Sequence, residues 1–343
     1  MKLERTDGTR SSRALPQGFR SLPSEIYRDD PYWSPKSESA IDDCLELAAM
    51  GATSIEAVVA HSQNRVAARA VAILPAPPDA SQEREGWIGL FECMPGAREA
   101  GTAVLDHSRR WLADRGARRI QAPRVDRLRA GLQIGGFDQP QTIYTAHNPD
   151  FYAEVFRDAG FALATRMVSV TFSRKRAPIF SGLGRSDYTV RSVDTARLDD
   201  EIARIEQFQA SMFGGRIGHV AQSTAAARQM LKRLLPLLDP DLVIVATSHS
   251  DETVGVLICV PDAWQNNEPV DRARLISIGV FPEWQGRRVA MSMGALLAKT
   301  LIDKGYQTLE GSWVLESNRR PQMLAKLLGA KPGREFALFT TDL

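Results

Sequence analysis

Hydrophobic and polar positions along the first half of the chain form patterns that predict strands followed by helices. Three runs with small apolar residues at alternate positions predict strands, namely IEAVVAHS, RVAARAVAIL and GWIGLFEC. The spacing of apolar residues in TAVLDHSRRWLADRG predicts a helix that ends at Gly116. A strand, ARRIQAP, and a short helix that ends at Gly160 follow.

A comparable order of elements recurs in the second half, after a segment rich in Gly, Pro and basic residues. This segment, residues 176–187, is predicted to be a linker. Beyond it the patterns predict the strands YTVRSV, DLVIVATS, TVGVLICV, ARLISIGV, TLEGSWVL and EFALFTT. They predict helices in DDEIARIEQFQASMF, STAAARQMLKRLLPLL, RRVAMSMGALLAKTLIDKG and SNRRPQMLAKLLG. This alternation predicts an α/β protein with helices on both faces of a mixed sheet.

The two halves are similar in the order of their elements, which we interpret as a duplication. In both, a helix that ends at a glycine is followed by a strand, an asparagine and a second helix. Thirty-two positions separate Gly116 from Asn148, whereas thirteen separate Gly305 from Asn318, so the first half carries an insertion. The polar and basic residues 1–20 are predicted to be a mobile tail.

Composition narrows the class of protein. The 343 residues leave room for two domains of about 150 residues each. The 43 basic and 41 acidic residues nearly balance, so nucleic-acid binding is not expected. Three cysteines and five histidines lie far apart, a distribution that predicts neither disulfides nor a metal site. The sequence shows no signal-peptide pattern and no apolar run of membrane-spanning length, so we expect a cytoplasmic protein without a membrane partner.

One segment has a pattern with chemical meaning, because a strand runs through a short loop directly into a helix. The apolar strand ends at Val280, the loop reads FPEWQG, and a strong helical pattern follows. The first N–H groups of a helix lack intrahelical partners, and the helix dipole adds positive potential there. This arrangement suits a pyrophosphate.

The segment resembles the cofactor-binding motif of GNAT enzymes, the Gcn5-related N-acetyltransferases. The matching residues are Val280, Pro282, Gln285, Gly286, Arg287, Val289 and Ala290, followed by Gly305 and Asn318. Arg288 stands where the family has its middle glycine, so its side chain either crowds the phosphates or binds them. The resemblance covers the chain from about Tyr188 to the C-terminus.

The resemblance implies two tandem GNAT-like domains, each a mixed, mostly antiparallel sheet flanked by helices, as in bacterial tandem-GNAT proteins. Residues 21–175 would form a degenerate domain, and residues 188–343 a domain that binds acetyl-CoA or another acyl-CoA. The cofactor site would comprise Ile278, Gly279, Val280, Gln285, Gly286, Arg287, Arg288, Val289, Ala290 and Asn318, with no metal. Asn318 would also serve as a helix N-cap.

The reaction that the resemblance implies is direct attack of an amine, carried by a small metabolite, on the acyl thioester. A backbone N–H of Val280 or Gly279 would polarise the thioester carbonyl. The candidate bases are Glu310, Glu316 and His219. Each glutamate has a surface role as its alternative, and His219 lies in a glycine-rich loop.

Neither half keeps the tyrosine with which GNAT enzymes protonate the departing thiolate. Ala325 stands at that position in the second half and Phe156 in the first. A general acid is therefore absent, substituted or unnecessary, and a base is expected to matter more.

Two other functions remain open. The donor would be an aminoacyl-tRNA or an acyl carrier protein if the arginine-rich segments RRWLADRGARR and SRKR form a basic rim, and only then would nucleic acid be a partner. The missing tyrosines and Arg288 would instead fit a non-catalytic CoA-binding or scaffold module. A homodimer is compatible with each function.

Overall fold

A computed structural model describes most of the chain. The described residues are 2–7, 15–39, 41–42, 45–46, 48, 52–76, 83–125, 129–174, 187–213, 238–266 and 268–343. The candidate base His219 lies outside these residues. So do the predicted linker and the predicted helix STAAARQMLKRLLPLL, apart from the last residue of each. The chain forms two compact units: unit 1 comprises Met1–Met167 and Arg334–Leu343, and unit 2 comprises Val168–Gly333.

The helices and strands follow the predicted patterns, with additional elements. The first part of the chain contains β1 (Lys2–Asp7), α1 (Leu22–Ile26), α2 (Lys36–Ser39), β2 (Ala52–Ser62), β3 (Arg65–Pro75), β4 (Glu85–Cys93), α3 (Arg98–Asp114), β5 (Arg119–Ala122), β6 (Leu132–Gly135), α4 (Tyr152–Asp158) and β7 (Ala162–Ser173). The second contains β8 (Tyr188–Ser192), α5 (Leu198–Phe213), β9 (Val243–Ser248), β10 (Thr253–Pro261), β11 (Arg272–Val280), α6 (Val289–Asp303), β12 (Thr308–Leu315), α7 (Arg319–Leu327) and β13 (Lys331–Asp342). Among the described helices, none has the length and apolar character needed to cross a bilayer.

Unit 1 is built on a sheet with the order β1-β2-β3-β4-β5-β13, and β6 pairs with β13. The pairs are antiparallel except for β4 and β5, which run parallel. Helix α3 covers the sheet with an apolar stripe whose residues are Val104, Leu105, Trp111 and Leu112. Consecutive residues in the middle of β2 and β3 are buried, so both faces of the sheet are covered at these strands.

The N-terminal residues correct the prediction of a mobile tail over residues 1–20. Lys2–Asp7 form an edge strand that pairs antiparallel with β2, from Lys2 opposite His61 to Asp7 opposite Glu56. Only Leu3 in this strand packs against the hydrophobic core of unit 1. An edge strand with one apolar contact has the polar composition of a tail, so the pattern alone did not distinguish the two.

The last strand corrects the assignment of residues 188–343 to a single domain. Arg334–Leu343 belongs to unit 1, where β13 pairs antiparallel with β5 from Phe339 opposite Ala122 to Asp342 opposite Arg119. The sequence pattern predicts the strand correctly but carries no information about the sheet that it joins, because strand pairing is set by non-local contacts.

A cluster of buried and partly buried polar side chains lies in unit 1. The hydroxyls of Tyr27 and Tyr152 each donate a hydrogen bond of 2.8 Å to one oxygen of Glu92. The guanidinium of Arg69 lies 3.9 Å from the other oxygen of Glu92 and 3.5 Å from Glu38. Burial raises the pKa of Glu92 to about 7. A pKa of this value means that the Glu92 carboxyl exchanges its proton near neutral pH.

We expect the stability of unit 1 to fall as the pH rises from about 5 to 7. The pKa of Glu92 in the folded chain lies above its ordinary value of 4.5, so folding takes up a proton in this window and the stabilisation is lost above it. Glu92→Gln retains an acceptor for both phenols but does not titrate, and should flatten this dependence by up to about 3 kcal/mol. Urea unfolding at pH 5 and pH 8 measures it. Glu99→Gln, at an exposed position on α3, serves as the control, and equal slopes for parent and Glu92→Gln would contradict the assignment.

Unit 2 is built on a sheet with the order β7-β12-β11-β10-β9-β8, to which β7 contributes its residues from Val168 onward. The pairs from β8 to β11 are antiparallel, and β11 pairs with β12 in parallel. Helix α6 packs on one face, where Met293 and Leu297 meet Leu257 and Cys259. Helix α5 packs on the opposite face through Ile202, Ile205 and Phe208, against Val243, Val245, Val256 and Ile258. The mixed sheet flanked by helices is the predicted fold class.

Candidate functional site

The central feature of unit 2 is a gap that opens between β11 and β12. The parallel pairing covers only Arg272–Leu275 of β11, and no pairing with β12 continues from Ile276 to Val280. The pairing of β11 with β10 shifts register at the same level, so that Ile276 is an extra residue between Leu275 and Ser277. A bulge of this kind bends a strand away from its neighbour. The end of β11 is consequently accessible, and Ile278 is 40 % exposed.

The loop that follows β11 turns tightly before α6 begins. A short 3₁₀ turn spans Pro282–Trp284, and the side-chain amide of Gln285 donates a hydrogen bond of 3.2 Å to the carbonyl of Val280. Gly286 has a φ of +78°, and a Cβ there would meet nothing within 4 Å. The glycine is required by this backbone conformation and not by lack of space.

Arg288 has a backbone conformation that favours glycine. It lies at the N-cap of α6 with a φ of 65°, in the left-handed region, which costs a residue with a Cβ about 1 kcal/mol. Its side chain is exposed and forms no ion pair with any residue that the structure describes. Arg287, by contrast, faces Asp187 at 3.6 Å and stacks on Trp284 at 4.8 Å. The two arginines are therefore not equivalent, and Arg288 is the one available to an anion.

A cavity of about 220 Å³ lies beside this gap, on the α6 face of the sheet. Its walls are almost entirely apolar and come from β7, β10, β11, α6, β12 and α7, including Val170, Phe172, Leu257, Leu275, Ile278, Leu297, Leu301, Ile302, Val314, Leu324 and Leu328. It extends along α6 from Ala290 to Ile302, a distance of about 18 Å at the rise of a helix. Burial also raises the pKa of Tyr306 in its wall, so the phenol stays neutral. Such a cavity fits an alkyl chain.

Small residues keep this cavity open. Gly294 on α6 lies in the wall, and a Cβ there would meet nothing within 4 Å. Ala298 and Gly311 line it as well. Ala325, which stands where GNAT enzymes have a tyrosine, is 6 % exposed and contributes its methyl group to the wall. The residue at the position of the GNAT tyrosine is thus part of the apolar wall of the cavity.

Glu310 lies on the other face of the sheet. Its neighbours Leu309 and Gly311 line the cavity, so the alternation along β12 directs the Glu310 side chain towards the α5 face. Glu310 is 5 % exposed and accepts a hydrogen bond of 2.9 Å from the hydroxyl of Ser312. Arg274, its partner in the β11–β12 pairing, donates a hydrogen bond of 2.9 Å to the same hydroxyl. A buried carboxylate therefore lies across the sheet from the cavity.

Two other predicted site residues, Glu316 and Asn318, lie outside the strand, loop and helix of residues 278–290. Glu316 is exposed in the turn after β12, and its backbone carbonyl accepts a hydrogen bond of 3.0 Å from Gln322. Asn318 is at the N-cap of α7, but its side chain makes no capping hydrogen bond. The structure thus brings together residues 278–280 and 285–290 in one strand–loop–helix, and leaves Glu316 and Asn318 at the start of α7.

Sequence reasoning missed the cavity and the Arg274–Glu310 pairing. One signal was present, since Arg274 is the one charged residue in the predicted strand ARLISIGV. A charged residue in a buried strand requires a partner. The cavity had no comparable signal, because its walls come from six separate elements.

The corresponding gap in unit 1 is filled by the chain itself. Strands β4 and β5 pair only from Glu85 to Trp87, and the backbone N–H of Arg124 then donates a hydrogen bond of 2.8 Å to the carbonyl of Ile88. A Cβ on Gly89 would lie 2.4 Å from Val125. The segment that fills the gap belongs to the insertion predicted between Gly116 and Asn148. Phe156, at the tyrosine position of this half, is fully buried among the aromatic rings of Phe91, Phe161 and Phe339.

Comparison with known proteins gives two full-length relatives. No protein-family model matches the chain. The chain is 23 % identical to Protein YghO of Escherichia coli over 95 % of its own length and 93 % of that protein. It is 22 % identical to Bacterial ceramide synthase of Caulobacter vibrioides over 95 % of its own length and 94 % of that protein.

Among solved structures, the chain is similar to a tandem GNAT protein from the clavulanic acid biosynthesis pathway. The TM-score is 0.67 at 12 % identity, and the match covers 99 % of this chain and 98 % of that one. The chain therefore has the tandem GNAT fold. The resemblance noted in the loop after β11 is confirmed at the level of the fold.

Proposed function

We propose that this protein is an N-acyltransferase that transfers a long acyl group from an acyl-CoA, bound in unit 2, to the amine of a lipid-like acceptor. The tandem GNAT fold supports acyl transfer. The relative named Bacterial ceramide synthase supports the choice of substrates, because a ceramide is the amide of a fatty acid and a long-chain amino alcohol. The observation that carries the proposal is the apolar cavity beside the gap between β11 and β12.

The cavity fits an alkyl chain better than it fits the rest of the donor. The pantetheine arm of CoA contains two amides, which lose free energy when they are buried without hydrogen-bond partners. The wall of the cavity offers almost no such partners, whereas each buried methylene group of an acyl chain gains about 0.8 kcal/mol. Because Leu275, Ile278 and Gly311 line the cavity at the gap, we place the thioester there and the chain along α6.

The loop from Gln285 to Ala290 binds the pyrophosphate in this proposal. The backbone N–H groups at the start of α6 and the helix dipole favour an anion. The exposed guanidinium of Arg288 adds a charged donor at the same end of the helix.

Arg288→Ala should therefore weaken CoA binding about tenfold, or about 1.4 kcal/mol, because one charged contact is lost. Alanine also carries a Cβ, so the strain of the left-handed backbone is unchanged. The control is Arg287→Ala, which should change the Kd less than twofold, since Arg287 already faces Asp187. Calorimetric titration with CoA measures both, and equal effects of the two substitutions would contradict this role for Arg288.

The acceptor approaches from the α5 face, where Glu310 is buried. The amine nitrogen attacks the thioester carbonyl, the C–S bond breaks, and the thiolate of CoA leaves. Glu310 takes the proton from the attacking nitrogen, and backbone N–H groups at the end of β11 stabilise the oxyanion. The thiol of CoA is acidic enough, near the cysteine value of about 8.5, to leave with little help from an acid. An alanine at position 325 is compatible with this chemistry.

Unit 1 does not bind a donor in this proposal. Arg124 and Val125 lie where a thioester would insert between β4 and β5. Unit 1 instead supports the fold, and its sheet includes the last strand of the chain.

The proposal is tested by incubating the full-length protein with palmitoyl-CoA or acetyl-CoA and an amine, either sphinganine or spermidine. Release of CoA and the mass of the amide are measured. We expect an amide of palmitate and sphinganine, formed with a higher kcat/KM than any product from acetyl-CoA or spermidine. Absence of turnover with every pair, or a preference for acetyl-CoA, would reject the long-chain donor.

A further inference from the structure

Helix α7 exposes large apolar side chains to solvent. Leu327 is 78 % exposed and Met323 is 63 % exposed. The two are four positions apart, so they lie on the same side of the helix on successive turns. Ala325 on the same helix is buried. The side of the helix with Ala325 thus packs against unit 2, and the side with Met323 and Leu327 exposes apolar side chains to solvent.

The apolar surface continues into the cavity of unit 2. Pro321, Leu324, Ala325 and Leu328 of the α7 region form part of the cavity wall. Leu324 is also 37 % exposed, so it lies at the rim. Six of the nine exposed large apolar residues in the described part of the chain belong to unit 2, and Ile278 and Ile302 join Leu324 in lining the cavity. Exposed apolar surface is therefore concentrated where the cavity meets solvent.

Cations flank this surface. Arg319 and Lys326 on α7 and Lys331 just beyond it are exposed, and none of them forms an ion pair with another described residue. The helix sequence RRPQMLAKL contains no acidic residue. A helix with exposed apolar residues beside unpaired cations has the composition of a segment that lies in a membrane interface.

We propose that α7 docks on an anionic phospholipid bilayer. Met323 and Leu327 enter the boundary between headgroups and acyl chains, and Arg319, Lys326 and Lys331 contact lipid phosphates. The rim of the cavity at Leu324 then faces the lipid, so a long-chain substrate passes from the bilayer into unit 2 without crossing water. The inference builds on the proposed function, and it replaces the sequence-based expectation of no membrane partner with peripheral docking.

A second copy of the chain is a poorer occupant of this surface. In a two-fold dimer the same patch meets itself, which would bring the three cations of each copy together. An acidic carrier protein would also satisfy the cations, but apolar side chains that continue into the rim of an apolar cavity at Leu324 are better matched by a lipid surface, which supplies the long chain itself. A bilayer accounts for both features.

The test is flotation of the full-length protein with vesicles. One set contains equal parts of phosphatidylglycerol and phosphatidylcholine, and the other contains phosphatidylcholine alone. We expect binding to the anionic vesicles that weakens with added salt, and at least a tenfold loss of binding for Met323→Ser/Leu327→Ser. The matched control is Leu163→Ser, which removes an apolar side chain that is 37 % exposed in unit 1 and should bind as the parent does. Lys326→Glu should also bind more weakly.

Equal binding of the parent and the double variant would overturn the proposal, as would absence of parent binding to anionic vesicles. A dimer in light scattering that the double variant dissolves, or binding to an acidic acyl carrier protein in place of vesicles, would also overturn it. With a water-soluble, short-chain amine as acceptor, the double variant should keep the parent's kcat/KM, because Met323 and Leu327 do not line the cavity. Vesicle binding requires no turnover, so failure of docking and failure of the acyltransfer proposal give different results.

Discussion

Replacement of Glu310 by glutamine should lower kcat by about 10² to 10⁴-fold while leaving the affinity for CoA nearly unchanged. An amine is protonated at neutral pH and must lose that proton before or during its attack. Glutamine matches glutamate in shape and still accepts the hydrogen bond from Ser312, which is 2.9 Å in the parent, but it takes no proton. Glu310 also lies opposite Arg274, in the paired part of β11 and β12 that precedes the gap and the loop. A loss confined to kcat, with a changed pH profile, is the expected result.

The experiment includes a matched control and a measurement of stability. Glu316→Gln changes an exposed carboxylate at the end of the same strand, and we expect less than a threefold change in kcat. Buried Arg274 is linked to Glu310 through the hydroxyl of Ser312, so loss of the Glu310 charge also lowers the free energy of unfolding. Turnover must therefore be measured where the variant is fully folded. Full turnover of Glu310→Gln would leave Glu310 as a structural partner of Arg274 and the base unassigned.

Replacement of Gly294 by phenylalanine should reduce kcat/KM for palmitoyl-CoA at least 100-fold, or about 2.7 kcal/mol. The position lies in the cavity wall on α6, and a Cβ there would meet open space. A ring attached at that point occupies the volume in which we place the acyl chain. A short donor such as acetyl-CoA does not reach that part of the cavity and should react as with the parent.

Gly294→Ala is the control for the cavity experiment. It adds only a methyl group, and alanine is favoured over glycine in a helix by about 1 kcal/mol, so the variant should be stable and should still accept palmitoyl-CoA. Equal losses for palmitoyl-CoA and acetyl-CoA in Gly294→Phe would indicate general damage to α6. Unchanged use of palmitoyl-CoA would place the acyl chain elsewhere.

The parts of the site that the sequence predicts are those determined by local structure. The loop is an example, since the positive φ of Gly286 and the helix start after it follow from neighbouring residues. The helices α3 and α6 are likewise local, because their apolar spacing is sufficient to predict them.

The parts that the sequence does not predict depend on contacts between distant segments. The pattern of β13 predicts a strand, yet only its pairing with β5 places it in unit 1. The absence of a tyrosine at Ala325 is visible in the sequence, whereas its place in a cavity wall is not. Lys2–Asp7 has the composition of a tail and becomes a strand because β2 offers an unpaired edge. Pairing and cavities are tertiary properties, and local patterns do not encode them directly.

Calorimetric titration of the full-length protein with palmitoyl-CoA measures whether unit 2 binds an acyl-CoA through the loop after β11. Gly286→Val forces a β-branched side chain into a φ of +78° and should weaken binding at least tenfold, or about 1.4 kcal/mol. Gly96→Val is the matched control, because Gly96 precedes α3 in unit 1 with a φ of +81° and equally open surroundings. We expect the parent's affinity in Gly96→Val and a loss of affinity in Gly286→Val alone. Equal affinity of Gly286→Val and the parent, or a loss in Gly96→Val instead, would contradict binding through this loop.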